Sequence, residues 1–446
     1  MPFPVAEKTI VTGSLGMPGY NPIHFNNSAY YCVTVDSTNR DLHVYKATSP
    51  NGPWTVQDDA NRYSAPVTQV TNLQWLTTAI VNNYIVMAFS EQDTGAPTTE
   101  ALLRYGPTFN TDTDSWTSQI GFTVDNNSSE PGQFTGMIVP RVLNAVFILV
   151  GPDEAIMGDS KWRVDYRTLN PASQSWGSLI SVDDGGDIHY GNPIAIVGSQ
   201  STTDVHFAYA RNSSTAFDPP VAWGQIVGKT LGSSTLSSQT TITSISWGIM
   251  RGMNNAVGID TGSVYRMVLA GSPDGTQSYV TYPRSDEDGN NDLSQFVNQF
   301  DVVAPTPFRS DTVDASTTNV VVDSSGVLHF VYKDSSASDI YEVTSSDDGD
   351  TLDSTTASAI KTGITANWST TSIINDHLFV KYEDGSGNIK YFWTGTESAT
   401  SMPSIFSNGL TGAGTALSIT NVNTTNDWDD GDTNIPATGT GFYTAP

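Results

Sequence analysis

The densest group of chemically capable side chains in this 446-residue chain is Asp187-Ile-His189-Tyr190, which follows a pair of glycines. A carboxylate, an imidazole and a phenol this close together can pass protons or ring a polar ligand, and the same three residues also make an ordinary polar loop. A second group, Asp286-Glu-Asp288-Gly-Asn290-Asn-Asp292, sets oxygen-bearing side chains at alternate positions. Hard divalent cations favour such loops, which makes Asp286, Asp288, Asn290 and Asp292 candidate ligands for Ca2+. The segment departs from the EF-hand pattern, which has its Gly at the sixth position and a Glu at the twelfth, and a solvated acidic turn would read the same way. The histidines (His24, His43, His189, His206, His329 and His377) are scattered, without the close Cys/His spacing of a zinc site. His206 and His329 fall in matching runs, Val205-His-Phe and Leu328-His-Phe, and read as packing residues of a repeat. The single cysteine, Cys32, lies in a strand-like run and is expected to be a buried, inert thiol.

These groups have to be held by β-structure. Apolar and polar residues alternate in short runs bounded by Gly, Asn, Asp, Pro and Ser, and no stretch shows sustained helical periodicity. A hairpin-like unit recurs. Its first strands begin near Ala29, Asn83, Asn144, Thr203, Gly262, Gly326 and Asp376, at a mean interval of about 58 residues. The partner strands run near Asp41–Thr48, Glu100–Gly106, Lys161–Thr168, Val221–Gly228, Gln277–Pro283, Asp339–Thr344 and Asn388–Trp393. A candidate strand precedes several of these hairpins, as at Trp75–Val81, Met137–Val142, Pro193–Val197 and Asn319–Val322. A weaker one follows others, as at Val67–Val70, Gly121–Val124 and Thr240–Ile245.

Four strands per unit, repeated radially, is the way a β-propeller protects its sheet edges. The expected fold is therefore all-β, a single propeller of about seven four-stranded blades. A row of separate β-sandwiches is the alternative, but it calls for linkers between domains, and none is visible. Residues 1–28 would supply a ring-closing strand (Thr9–Thr12) and the first inner strand, residues 29–399 the blades, and residues 400–446 a further strand (Ala416–Val422) with a Gly-, Thr-, Asn- and Asp-rich tail.

The segment Ser345-Ser-Asp347-Asp-Gly349-Asp-Thr351-Leu352 resembles the Asp-box, S-x-D-x-G-x-T-W, with Leu in the place of Trp, in the turn after a third strand. Ser49-Pro-Asn51-Gly52-Pro-Trp54 resembles a degenerate copy, and Trp116 and Trp176 follow the equivalent strands of the next two units. On these residues the chain is similar to the Asp-box (sialidase-like) β-propellers. In that superfamily the box staples the fold and carries no chemistry, so the resemblance implies architecture alone.

The resemblance supplies two enzyme templates. A sialidase gathers three arginines around the substrate carboxylate, because guanidinium offers a permanently charged, bidentate fork. Arg141, Arg251 and Arg309 lie near the inner strands of three units, but the early Arg-Ile-Pro-like segment of the family is missing. Gly52-Pro-Trp54 is also similar to the repeat of furanosidase/xylosidase-type propellers. That chemistry implies carboxylates at the axis, one of them kept protonated, and Glu130, Asp187 and Asp311 stand just before inner strands. The Asp187, His189 and Tyr190 group lies at the same predicted edge and could form a sugar-binding rim with the three arginines.

Charge and composition narrow the function classes. Only 15% of residues are charged, yet 46 acidic against 19 basic residues leave a net charge of −27. That field opposes nucleic acid and anionic membranes as partners. No run approaches the length of a membrane span. The N-terminus has no basic segment followed by an apolar one, so the expectation is a protein made in a cytoplasm without a secretion signal. Its polar residues are mostly Ser, Thr, Asn, Asp and Gly, the surface of a protein that works outside the cell. Virion proteins released by lysis combine these features. The reading is a non-enzymatic structural or host/glycan-recognition component of a phage particle, contacting other virion proteins through its C-terminal tail. Its alternatives are a sialidase-like or furanosidase/xylosidase-type glycoside hydrolase and a bacterial lectin-like propeller.

Overall fold

The computed structural model describes residues 7–15, 20–38, 42–57, 70–93, 100–117, 123–124, 135–141, 144–152, 162–183, 195–198, 205–212, 223–232, 235–238, 240–246, 268–271, 278–281, 315–334, 338–347, 353–354, 358–364 and 369–394. The chain divides into two units, Met1–Gly395 and Thr396–Pro446, and the second, which holds Ala416–Val422 and the tail, lies outside the described residues. The fold is all-β, with no helix among the described residues.

Strands β1 (Lys8–Thr12) and β2 (Ser14–Leu15) come first, then β3 (His24–Asn26), β4 (Ala29–Asp36), β5 (Leu42–Ala47) and β6 (Thr55–Val56). The second group is β7 (Val70–Val81), β8 (Tyr84–Asp93), β9 (Glu100–Asn110), β10 (Ser115–Trp116) and β11 (Thr123–Val124). The third is β12 (Thr135–Arg141), β13 (Asn144–Pro152), β14 (Trp162–Asn170), β15 (Ser175–Trp176) and β16 (Ile180–Asp183). Next come β17 (Ala195–Gly198), β18 (Val205–Asn212), β19 (Trp223–Leu231) and β20 (Thr240–Ser246), followed by the pair β21 (Val268–Gly271) and β22 (Ser278–Thr281). The last are β23 (Ala315–Val322), β24 (Leu328–Asp334), β25 (Asp339–Ser345), β26 (Ser358–Lys361), β27 (Ser369–Ile374), β28 (His377–Glu383) and β29 (Asn388–Trp393).

The strands form seven antiparallel sheets among the described residues, most of them in chain order, as in β17-β18-β19-β20 and β23-β24-β25-β26. The exception is the final sheet, ordered β1-β29-β28-β27, in which the N-terminal strand is the outermost member. Lys8 pairs with Tyr391 and Thr12 with Asn388. The chain then turns at Gly13, in the left-handed region at φ 73° that glycine adopts without steric cost, and enters the first sheet as β2 against β4.

The core lies between consecutive sheets. Tyr31, Val33 and Val44 pack with Leu76, Ile85, Met87 and Phe89 of the next sheet. The opposite face of β4, Tyr30 and Cys32, packs with Phe379, Tyr391 and Trp393 of the final sheet. With both faces covered, β4 reads Ala-Tyr-Tyr-Cys-Val-Thr-Val and not as an alternating strand. Burial of each large side chain here contributes about 1.5–3 kcal/mol.

The turns after the third strands repeat one contact. The αL residues Gly52, Asp114 and Gln174 occupy equivalent turns. In the second sheet Asp114 accepts from Lys46 of the first at 2.6 Å, and in the third Gln174 donates to Thr108 of the second at 3.0 Å. In the first sheet Asn51 accepts from Trp393 of the final sheet at 3.3 Å, and Trp54 meets Tyr391 edge-on at 5.6 Å.

Most expected strand pairs stand within a few residues of their places. Of the expected outer strand Val67–Val70, residues 67–69 lie outside the described residues and Val70 begins β7, which continues through two register shifts to Val81, while Thr55–Val56 takes the outer position of the first sheet. Bulges let the run of β-formers around Trp75 stay paired to β8 without a break. Of the Asp-box-like segment, Ser345 Oγ donates to Asp347 at 2.8 Å, and residues 348–352 lie outside the described residues.

Glu7 binds the N-terminal strand by charge as well. Its carboxylate receives Lys390 at 2.8 Å, Lys361 of the neighbouring sheet at 3.2 Å, and the Tyr382 hydroxyl. Burial alone would raise its pKa, but the bonds from Lys390, Tyr382 and Lys361 outweigh that and hold it at about 2. A depressed carboxylate stabilises the fold above its ordinary value of 4.5 and loses that contribution as pH falls towards about 2. Glu7→Gln should therefore cost about 1–2 kcal/mol at pH 7, with the difference from wild type closing in thermal melts taken at progressively lower pH.

Candidate functional site

Among the residues the sequence singles out, Arg141 is described, as the last residue of β12 opposite Asn144. Glu130, Asp187, His189, Tyr190, Arg251, Arg309 and Asp311 lie outside the described residues, as do Asp286, Asp288, Asn290 and Asp292. Among the described residues no group of three or more His, Cys, Asp or Glu could hold a metal ion, and no helix is long and apolar enough to cross a membrane.

Two buried polar clusters are described in detail. The first joins β7, β27 and the segment leading into β3. Asn21, Thr78, Thr370 and Lys381 are all buried. Thr78 Oγ1 donates to Asn21 Oδ1 at 2.9 Å, and Asn21 Nδ2 donates to the Val33 carbonyl at 2.9 Å. Thr370 Oγ1 in turn donates to the Asn21 carbonyl at 3.0 Å. Because the Thr78 proton goes to Asn21, the His24 Nε2 that lies 2.7 Å from the same oxygen must donate. The tautomer is thus Nε2–H. Desolvation, helped by the positive charge of Lys381, pulls the His24 pKa down to about 3, so the ring is neutral at physiological pH. A hydroxyl that already donates to an amide, beside an imidazole that is itself a donor, has no base to activate it. This chain of bonds ties three sheets together and supplies no nucleophile.

The second cluster lies within one sheet. His329 Nδ1 is 2.7 Å from Glu342 Oε1, and Nε2 is 3.6 Å from Asp323 Oδ2. Both His329 and Glu342 are buried. Burial alone would lower the histidine pKa, but the Glu342 bond, the Glu342 charge and then Asp323 outweigh it and raise the value. The arrangement sets the ring between two carboxylates, which favour its protonated form. His329 is therefore more than a packing residue of a repeat, because its ring answers buried charge.

Sequence reasoning missed both clusters. The second left a signal: His329 pairs with Thr344 and Val331 with Glu342, so the register sets a histidine diagonal to a carboxylate on neighbouring strands. An acidic residue in the apolar run Ile340–Val343 needs such a partner. The first left little signal, since Asn21 and Thr370 are 349 residues apart.

No protein-family model matches the chain, and no curated protein matches it. Solved structures of sialidase and arabinofuranosidase propellers are similar to it. An α-L-arabinofuranosidase from Fusarium graminearum is 9% identical over 88% of this chain and 98% of its own, with a TM-score of 0.44. The Hadza microbial sialidase Hz136 is 10% identical over 82% of this chain and 76% of its own, with a TM-score of 0.45. A Trypanosoma rangeli sialidase, in complex with sialic acid, is 11% identical over 86% of this chain and 54% of its own, with a TM-score of 0.41. At these identities the likeness is one of fold alone.

A raised histidine pKa contributes stability that is complete below the ordinary value of 6.5 and is lost as pH rises through the folded value. In a histidine NMR titration, Glu342→Gln should lower the His329 midpoint. An unchanged midpoint would mean that Glu342 does not hold the proton.

Proposed function

We propose that the chain is a closed ring of seven four-stranded blades serving as a non-enzymatic recognition or structural component of a phage particle. The observation that carries the ring is the repeated turn contact. The first sheet's turn meets the final sheet through Asn51 and Trp54, as the second sheet's turn meets the first through Asp114. A repeat that makes the same neighbour contact across its two ends supports closure, with β1 as the sealing strand.

The non-enzymatic reading draws on how the inner polar side chains are used. Asn21, Thr78, Thr370 and Ser372 spend their hydrogen bonds joining one sheet to the next. The Ser-, Thr-, Asn- and Gly-rich composition and net charge of −27 suit an exposed particle protein. In this reading other virion proteins engage the tail, and a host glycan is the ligand. The Asp-box-like turn at Ser345 is a fold staple.

Two measurements test the reading. The chain should not hydrolyse sialosides, arabinosides or xylosides, and turnover lost in Glu130→Gln or Asp187→Asn would make it a glycoside hydrolase. Truncation after Asn423 should leave the melting temperature within a few degrees and prevent incorporation into particles. Normal incorporation of the truncated chain would overturn the particle assignment.

A further inference from the structure

One hairpin turn occurs twice among the described residues. Asp323-Ser-Ser325-Gly326-Val327-Leu-His329 joins β23 to β24, and Asp384-Gly-Ser386-Gly387-Asn388-Ile-Lys390 joins β28 to β29. In the first, Asp323 Oδ1 accepts the Ser325 and Val327 N–H groups, each at 2.9 Å. In the second, Asp384 Oδ1 accepts those of Ser386 and Asn388, at 2.9 and 3.2 Å. The backbone closes alike, with Asp323 N–H on the Val327 carbonyl at 3.0 Å and Asp384 N–H on the Asn388 carbonyl at 3.1 Å. The glycine before the closing residue is left-handed in both, at φ 84° for Gly326 and 79° for Gly387. Each turn also makes a hydrogen bond out of its own sheet. Ser324 N–H donates to Asp376 Oδ1 of the final sheet at 3.1 Å, and the Gly387 carbonyl accepts Ser14 N–H of the first sheet at 2.9 Å.

The two turns differ in the group that balances the aspartate. At the same spacing from the aspartate (384 to 390, 323 to 329) one has a lysine and the other a histidine. Lys390 Nζ is 2.9 Å from Asp384 Oδ2, and His329 Nε2 is 3.6 Å from Asp323 Oδ2. Lysine keeps its charge across the ordinary pH range, and the bonds to Glu7 and Asp384 push the Lys390 pKa up further. Imidazole does not. His329 shares a face of β24 with Val331, which packs with Leu378 and Val380 of the final sheet, so the ring stands at the seam that Ser324 and Asp376 join. The charged and titratable groups around it are Glu342 of β25, Asp323 just past β23 and, from the final sheet, Asp376 with His377 beside it. Tyr382 of β28 and Lys361 of β26 reach the same seam but are engaged by Glu7.

We infer that His329 is a pH-sensitive clamp on the joint between the β23–β26 sheet and the final sheet: the β23–β24 turn holds the final sheet while the ring is protonated and loosens when the proton leaves. A protonated ring donates from both nitrogens and serves both carboxylates, whereas a neutral ring has one N–H. Nδ1, at 2.7 Å from Glu342 Oε1, makes the shorter contact and keeps that proton. Nε2 then turns a lone pair towards Asp323, and the turn loses the cation that its twin retains in Lys390. Because Glu342 and Asp323 outweigh burial and raise the His329 pKa, the turn is held below the ordinary value of 6.5 and slackens as pH rises through the folded value. The apolar packing of Val331 on Val380 does not depend on charge, so the change is confined to the turn and its bond to Asp376. The final sheet thus keeps its hold on the first sheet while its hold on the β23–β26 sheet weakens, and this is independent of the particle assignment.

The test is amide hydrogen exchange of the full chain from about pH 5 to about pH 9, each rate divided by the intrinsic rate at that pH, alongside the NMR titration of His329. Protection of Ser324, Ser325 and Val327 should fall by about fivefold or more across the His329 midpoint, while that of Ser386 and Asn388 stays level. Asp323→Asn, whose carboxamide oxygen can still accept the two turn N–H groups, should make protection of Ser325 and Val327 independent of pH. Glu342→Gln should move the fall to lower pH together with the His329 midpoint. The clamp is refuted if protection of the β23–β24 turn is level through that midpoint, if both turns lose protection alike, if the fall persists in Asp323→Asn, or if it stays in place when Glu342→Gln moves the midpoint.

Discussion

The pairing of β1 with β29 is the constraint on which the remaining geometry depends. It brings residues 8–12 into the sheet built by residues 369–393, so the two ends of the repeat array are one sheet apart. Gly13 then delivers the chain to the first sheet, and Ser14 N–H donates to the Gly387 carbonyl at 2.9 Å across the junction. Only with that junction made does Asn21 lie against Thr370, and Tyr30 against Phe379. Contacts of such sequence separation are costly to form, because the intervening chain must be ordered first. Glu7 adds a charge lock at the same place, holding two lysines from different sheets and a tyrosine hydroxyl.

Between neighbouring sheets, apolar and polar contacts divide the work. The clusters of Tyr31 with Met87 and of Val331 with Val380 supply burial, which is favourable but indifferent to small slides. Hydrogen bonds supply direction. Asn26 reaches the Asn82 carbonyl at 3.0 Å, and the Ser324 N–H reaches Asp376 at 3.1 Å, so the turns at the ends of inner strands are tied sheet to sheet. A buried threonine or asparagine left without a partner would cost more than a satisfied one contributes. The inner-strand polar residues therefore fix the relative position of sheets that apolar packing alone would leave free to shift.

What could be read from the sequence follows the range of the forces involved. Strand pairs such as Asn144 with its partner near Thr168 were legible because a two-fold apolar alternation and a Gly, Asn or Asp turn are local signals. The N-terminal strand was legible because an isolated Thr-Ile-Val-Thr run needs an edge to pair with. The buried Cys32 was legible from its apolar neighbours. The length of β7 was not, because a bulge leaves no mark in composition. His329 was read as packing because its run resembles that of His206, whereas its ionic role depends on Glu342 across a strand register. Asn21 and Thr370 could not be joined from sequence, since the bond between them depends on the junction of the chain's two ends.

The shortage of positive charge gives this arrangement its chemical bias. Where lysines are described in ion pairs, they are bound into structure: Lys46 by Asp114, Lys361 by Glu7, and Lys390 by Glu7 and Asp384. Each stands at a crossing between strands or sheets and is held there by a carboxylate. A cation used in this way makes a weak receptor for an outside anion, because ligand binding would have to displace a carboxylate that is already in place. The acidic excess then acts outward, as a field that repels polyanions.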